Sequence, residues 1–245
     1  MKKLLSYVRR ACDDYNMIEE GDRIAVGISA GKDSLTLLCA LAAMRRFYPK
    51  KYELVAITVG MGFEGMDFSP IREFCTSLDV EYHVVETEIS KIIFDVRKEK
   101  NPCSLCAKMR RGALHDAAKE YGCNKVALGH HFDDVVDTFM LNLFYEGRIG
   151  TFSPVTYLSN TELYLIRPMI YMPESEVVYF TNRIALPVIK SPCPADKNTK
   201  RETMKQMLAR EEKLNRGLKY RIFGAITRAE IDGFKNTGKI VKIDN

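Results

Sequence analysis

The chain has 245 residues, 46% hydrophobic and 28% charged, with 15 Gly and 9 Pro; this suits one large packed domain and excludes a disordered, collagen-like or low-complexity chain. A net charge of +5 and a pI near 8.7 permit a polyanionic partner without requiring one. No apolar run approaches the ~20 residues of a membrane helix, and Arg9 and Arg10 break the short N-terminal one, so a cytoplasmic protein with no secretory leader and no membrane contact is expected.

In chain order, Leu5, Val8, Cys12 and Tyr15 fall at helical spacing and predict a helix over 2–17. Residues 22–28, DRIAVGI, form a nearly continuous β-branched run that suits a buried parallel strand. A polar turn at 29–34 and an apolar helix over 35–44 follow. Then come a strand at 53–59, a helix opened by Ser69 as N-cap and Pro70 as first residue, and a strand at 80–85. A helix over 104–121 stops at Gly122, and a strand at 125–128 leads into a helix over 133–145. This alternation predicts an α/β fold with a doubly wound, mostly parallel sheet covered on both faces. After Gly147 the texture changes: a polar loop over 147–161, a strand at 163–166, a helix over 174–183 behind Pro173, and three Pro within 187–194. Residues 197–221 hold nine Lys/Arg against three Glu. The expected organisation is an N-terminal helix (1–20), an α/β domain (21–195) and a short, basic helical C-terminal extension (196–245).

The first β–α turn reads Ser29, Ala30, Gly31, Lys32, Asp33, Ser34. A strand entering a small-residue turn and then a helix N-terminus offers outward N–H groups and a favourable dipole to a phosphate. Lys32 adds a charge; Ser29 and Ser34 add hydroxyls. The spacing fits neither a Walker A loop nor GxGxxG. SAGKDS after a hydrophobic strand resembles the PP-loop signature SGGxDS of ATP pyrophosphatases, which split ATP between the α and β phosphates and use AMP to activate a carbonyl oxygen. Ala30 departs from that pattern, and its methyl bears on the local backbone conformation.

Seven Cys are an odd number in a chain too large to need disulfide staples. Cys103 and Cys106 form a CxxC at a helix start after Asn101 and Pro102, and Cys193 lies between Pro192 and Pro194. Three thiolates from two segments can hold three irons of a [4Fe–4S] cluster, whereas a closed zinc site wants a fourth ligand. A redox dithiol and inert thiols are the competing readings of the CxxC. Cys12, Cys39, Cys75 and Cys123 read as small buried residues.

Gly129, His130, His131, Phe132, Asp133 and Asp134 follow the strand at 125–128, at the carboxyl edge where open α/β folds bind ligands. Asp133 or Asp134 can hold Mg²⁺ or orient a nucleotide; the competing reading is a helix cap. His130 is a candidate for the nucleotide site, while His83 and His115 read as structural or solvated. Lys108 and Arg111 are three apart and can share a helix face beyond the CxxC, with Arg110 beside them.

Residues 103–144, CSLCAKMRRGALHDAAKEYGCNKVALGHHFDDVVDTFMLNLF, resemble the TtcA family of tRNA 2-thiocytidine synthetases, as do 17–38, MIEEGDRIAVGISAGKDSLTLL. Arg167 and Pro168 followed by a Pro-Cys turn also fit that family's order. The resemblance runs over about residues 1–215. The chain lacks the terminal zinc-finger cysteine pairs of the related TtuA family. The resemblance implies a PP-loop ATPase domain over 21–195, ATP with Mg²⁺ as cofactors, and a [4Fe–4S] cluster on Cys103, Cys106 and Cys193. It implies a nucleotide site of Ser29, Ala30, Gly31, Lys32, Asp33, Ser34, Gly129, His130 and Asp134, with Asp133 and Arg111 acting in catalysis. The implied reaction adenylates the C2 oxygen of cytidine 32 of a tRNA and replaces it with sulfur delivered through the cluster. Expected partners are tRNA, a sulfur donor (a cysteine desulfurase or free sulfide) and a second copy of the chain. The 197–221 stretch can follow a tRNA backbone electrostatically. The alternatives are a thiolase for a uridine or a small molecule, and a non-catalytic zinc- and nucleotide-binding module.

Overall fold

The computed structural model describes residues 1–97, 102–190, 192–193 and 200–236; Asn101, Pro194, Lys197 and residues from 237 onward lie outside them. Helix α1 (Lys2–Asp14) leads to β1 (Asp22–Gly27), α2 (Lys32–Met44), β2 (Tyr52–Gly60), α3 (Ser69–Ser77) and β3 (Glu81–Glu86). A single turn α4 (Ile89–Lys91) runs into a π-helical turn (Ile92–Val96). Next come α5 (Pro102–Glu120), β4 (Lys125–Ala127), α6 (Phe132–Glu146), β5 (Val155–Leu158) and β6 (Leu163–Ile166). The chain continues with α7 (Glu174–Ile184), α8 (Lys200–Leu214), α9 (Leu218–Arg228) and a 3₁₀ turn (Ile231–Gly233).

The strands form one sheet in the order β3-β2-β1-β4-β6-β5. All neighbours are parallel except β5, which runs antiparallel to β6. The chain winds outward from β1 to β3 and then returns to β1's other side as β4. The order therefore reverses between β1 and β4, and their carboxyl ends open a crevice there.

Alternation along each strand feeds two cores. Ile24, Val26, Leu54, Ala56 and Ala127 face α1, α2, α6 and the C-terminal helices, while Ala25, Val55, Ile57 and Val126 pack with Leu114, Ala117 and Ala118 of α5. A methyl on Gly27 would come within 2.9 Å of the Leu114 side chain, so α5 lies close against the strand ends. The expected three-part organisation shares one core: Leu4 and Val8 of α1, Met204 and Leu208 of α8 and Phe223 and Ile226 of α9 belong to the same cluster as the sheet.

Two expectations are corrected. Within the expected loop over 147–161 lies β5, a four-residue edge strand whose only strand partner among the described residues is β6. Ser69 is the first residue of α3, Phe68 is the N-cap, and the Asp67 carboxylate accepts the Ser69 N–H at 2.8 Å.

Candidate active site

The phosphate turn is shaped by its two serines. The Ser34 hydroxyl donates to the Gly31 carbonyl at 3.0 Å, accepts the Ser29 N–H at 3.2 Å and lies 3.2 Å from the Ser29 hydroxyl. Gly31 is the N-cap of α2. Ala30 is left-handed at φ +63° and only 3% exposed. An L-residue with a Cβ pays about 1–2 kcal/mol for that conformation. The Lys32 ammonium lies 2.9 Å from Asp33 and 3.1 Å from Glu174. Burial works against the Lys32 charge, but Asp33 and Glu174 outweigh it and its pKa is raised. Burial alone would raise the Glu174 carboxyl; Lys205, at 2.7 Å, and Lys32 overcome it and hold the group at about 2.

The second wall is the turn after β4. A methyl on Gly129 would sit 2.9 Å from the Asp33 carbonyl carbon and 3.0 Å from the Ser34 nitrogen, so only glycine lets this turn abut the phosphate turn. His131 caps α6: its Nδ1 accepts the Asp134 N–H at 3.4 Å and the Asp134 carboxylate accepts the His131 N–H at 3.0 Å, a reciprocal box. The acidic pair divides. Asp134 lines the cleft and meets Arg201 at 3.4 Å. Asp133 does not line it: one oxygen accepts the Glu174 N–H and the other the Lys219 ammonium, both at 2.7 Å.

The two turns and α5 enclose a cleft of about 390 Å³. Ser29, Asp33, Ser34, Gly129 and His130 line it, together with Arg110, Arg111, Leu114 and His115 of α5; Lys108 does not. His130 packs against Phe152 with the rings tilted by 41° and their centres 4.8 Å apart, and its Nδ1 has no hydrogen-bond partner. Burial first, then the Arg167 cation, push its imidazole down to about 4, so the ring is neutral near pH 7. Arg167, at the carboxyl end of β6, is 7% exposed and lies 5.0 Å over the Phe152 ring. It donates to the Ser153 carbonyl and the Thr156 hydroxyl. Burial and the nearby Arg111 cation push its guanidinium down to about 10.

Helix α5 begins at the CxxC. Burial, the largest cause, and then the Cys193 and Cys103 thiols raise the Cys106 thiol, against a lowering by Arg110. The Cys103 and Cys193 thiols thus lie near enough to Cys106 to act on its charge. Their donor set is all sulfur, three rather than four, which fits an iron–sulfur cluster with one open iron better than a closed zinc site. The thiols do not close on one point: among the described residues no three His, Cys, Asp or Glu side chains stand in metal-holding arrangement. Cys12, Cys39, Cys75 and Cys123 are buried, and burial raises each thiol.

Sequence reasoning missed two groups that line the cleft, His115 and Arg201, and the Lys32 partner Glu174. His115, read as structural or solvated, lines the cleft one turn beyond Arg111, and that i, i+4 spacing is the signal in the sequence that could have found it. Arg201, read as part of a tRNA-facing stretch, lines the cleft and bonds Thr138 at 3.2 Å. Lys205 and Lys219 of that stretch are likewise paired inward, to Glu174 and Asp133. Glu174 had no signal, since its meeting with Lys32 is purely tertiary. His83 is structural: it stacks on Tyr121, ring centres 3.7 Å apart, and pairs with Glu81.

A family model described as a PP-loop domain matches residues 4–212. A tRNA-cytidine(32) 2-sulfurtransferase of Teredinibacter turnerae is 40% identical over 229 residues, 93% of this chain and 76% of that protein. One from Geobacter metallireducens is 38% identical over 94% of this chain and 90% of its own length. Among solved structures, the U34-tRNA thiolase NcsA of Methanococcus maripaludis with its [4Fe-4S] cluster superposes with a TM-score of 0.77 at 28% identity, covering 93% of this chain and 78% of that one.

Proposed function

The chain belongs to the PP-loop family of ATP-binding proteins and, within it, to the tRNA-cytidine(32) 2-sulfurtransferases, and on that footing we propose how its own residues divide the work of an ATP-dependent tRNA thiolation. ATP with Mg²⁺ and a [4Fe–4S] cluster are its cofactors. The N–H groups of the 29–34 turn and Lys32 hold the β,γ-phosphates, which take Lys32 over from Asp33 and Glu174. Asp134, which lines the cleft together with Asp33, would hold Mg²⁺. The cytidine C2 oxygen attacks the α-phosphorus, forming a P–O bond as the bond to pyrophosphate breaks. Arg110 and Arg111 stabilise the negative charge that builds on the phosphoryl oxygens. Sulfide-level sulfur then attacks C2, forming the C–S bond as the C–O bond breaks and AMP leaves with the former C2 oxygen. Cys103, Cys106 and Cys193 would hold the cluster, which would supply a binding place for that sulfur. Asp133 positions rather than reacts, fixing α6 to α7 and α9.

The observation that carries this reading is the layout of α5, which presents the CxxC in its first turn and Arg110 and Arg111 to the nucleotide cleft one to two turns later. Sulfur handling and adenylation are thereby one rigid helix apart. The protein acts in the cytoplasm on tRNA, as a homodimer, with sulfur from a cysteine desulfurase or free sulfide.

The test is nucleoside analysis of tRNA from a strain lacking the chain and carrying either wild type, Lys32→Ala or Cys193→Ala, alongside iron, sulfide and zinc analysis of anaerobically purified protein. 2-Thiocytidine restored by wild type alone, with iron and sulfide lost in Cys193→Ala, is the expected result. Restoration of a thiouridine instead, or zinc without sulfide in the wild type, overturns it.

A further inference from the structure

His115 is 7% exposed, lines the cleft, and its Nε2 has no hydrogen-bond partner. A buried polar atom left unpaired is unfavourable, and in a cleft it marks the place where a ligand atom belongs. The surroundings narrow the ligand. Ile57 and Val59 of β2, Leu114 of α5, the residue before His115, and Leu128 after β4 line the cleft and pack in one apolar cluster. His130, Asp134 and Arg201 are among its polar lining. A nucleotide whose phosphates lie on the 29–34 turn puts its flat base against the apolar cluster, because a base loses little by leaving water there and a phosphate loses much.

The charge state agrees. Burial, and then the neighbouring Arg111 cation, lower the His115 imidazole below its ordinary range, against a smaller upward pull from Asp116. The ring is uncharged near pH 7, which suits a hydrogen bond to a base edge. A group meant for phosphate would be cationic, as Lys32, Arg110 and Arg111 are. The other cleft histidine with an unpaired nitrogen, His130, packs at a tilt against Phe152 at the β4–β6 end instead.

We propose that His115 Nε2 accepts a hydrogen bond from the 6-amino group of adenine and so selects ATP as the nucleotide. The inference rests on the ATP reading above and adds the residue that recognises the base.

Calorimetric titration of the full chain with Mg²⁺, without tRNA, tests it. The two probes are ATP and purine riboside 5′-triphosphate, which lacks the 6-amino group. His115→Phe keeps the ring volume and removes the nitrogen; it is expected to weaken ATP about tenfold and to leave the analogue within about twofold of wild type. His115→Gln, which restores an acceptor, is expected to recover part of the loss, and carries the test if the Phe variant fails to fold. Equal ATP affinity in wild type and both variants overturns the assignment while leaving ATP binding intact. So does an equal loss for both nucleotides, which would mark a role in shape alone. A wild type that binds neither nucleotide removes the ATP reading itself and this inference with it.

Discussion

The Ala30 carbonyl accepts a hydrogen bond from the Ile189 N–H at 3.0 Å. That one bond ties the phosphate turn to a residue four positions before the third thiol, Cys193. It also fixes Ala30 in its left-handed conformation. Ala30→Gly relieves that conformation but frees the unfolded chain, two effects of similar size and opposite sign. The expected outcome is a Tm equal to or a few degrees above wild type, with ATP affinity kept. Ala30→Val adds a β-branched side chain at the same φ and is expected to lower the Tm and weaken ATP together. Thermal denaturation and nucleotide titration of the pair check this; a Gly variant that loses ATP binding would contradict it.

Gly129→Ala tests the seam between the two turns. The added methyl meets backbone atoms of Asp33 and Ser34 at 2.9–3.0 Å, and backbone cannot swing aside as a long side chain can. The turns must separate, which misplaces His130 and Asp134 relative to the phosphate turn. A loss of at least about tenfold in ATP affinity is expected, with a stability cost of about 1–3 kcal/mol typical of overpacking. Titration and urea denaturation separate the two effects. Unchanged ATP affinity would show that the close approach is incidental to binding.

These sites differ in how far the sequence reveals them. The phosphate turn, the CxxC and the turn after β4 are local: each is a short run of residues, and alternation of strand and helix places the two turns on one sheet edge. Strand β5 escapes because it has four residues, one strand neighbour and no fully buried side chain to set a period. Arg201 and Asp134 are 67 residues apart, and nothing in either segment's pattern predicts their meeting. The inward pairing of Arg201, Lys205 and Lys219 escapes for the same reason: a run of basic residues has the same composition whether it faces carboxylates or solvent.

The acidic pair gives a crossed experiment. Asp133→Asn strands the Lys219 ammonium in a mostly buried place and weakens the link to the α7 N-terminus, and about 3 kcal/mol of stability is expected to go with it. Adding Lys219→Met should return part of that loss. Activity per folded molecule is expected to change little. Asp134→Asn keeps an oxygen that can accept the His131 N–H, so its stability cost is expected under about 1 kcal/mol. Loss of its charge is expected to lower thiolation at least about a hundredfold. Chemical denaturation and single-turnover thiolation, run on both variants, give the four values. An Asp133 variant that is stable and inactive would return that residue to catalysis.

Asp137 sets a pH dependence. It is buried one turn along α6 from the pair, one carboxylate oxygen has no partner, and its pKa is raised to about 6 from an ordinary 3.8. Burial is the largest cause; Lys219 and Lys205 pull the value down and Asp133 and Asp134 push it up. Below about pH 4 both folded and unfolded chains carry the proton and the group is neutral to stability. Between about 4 and 6 the folded chain still holds a proton that the unfolded chain has released, so stability falls as pH rises; above about 6 the penalty is complete. Asp137→Asn removes that penalty. Its Tm is therefore expected above wild type at pH 7–8, by a margin that shrinks as pH falls from about 6 to about 4. Paired melting curves across that range decide the matter. A variant less stable than wild type at pH 8 would mean that the Asp137 carboxylate is a net attractive partner of Lys219 and Lys205, and that the folded chain holds it ionised.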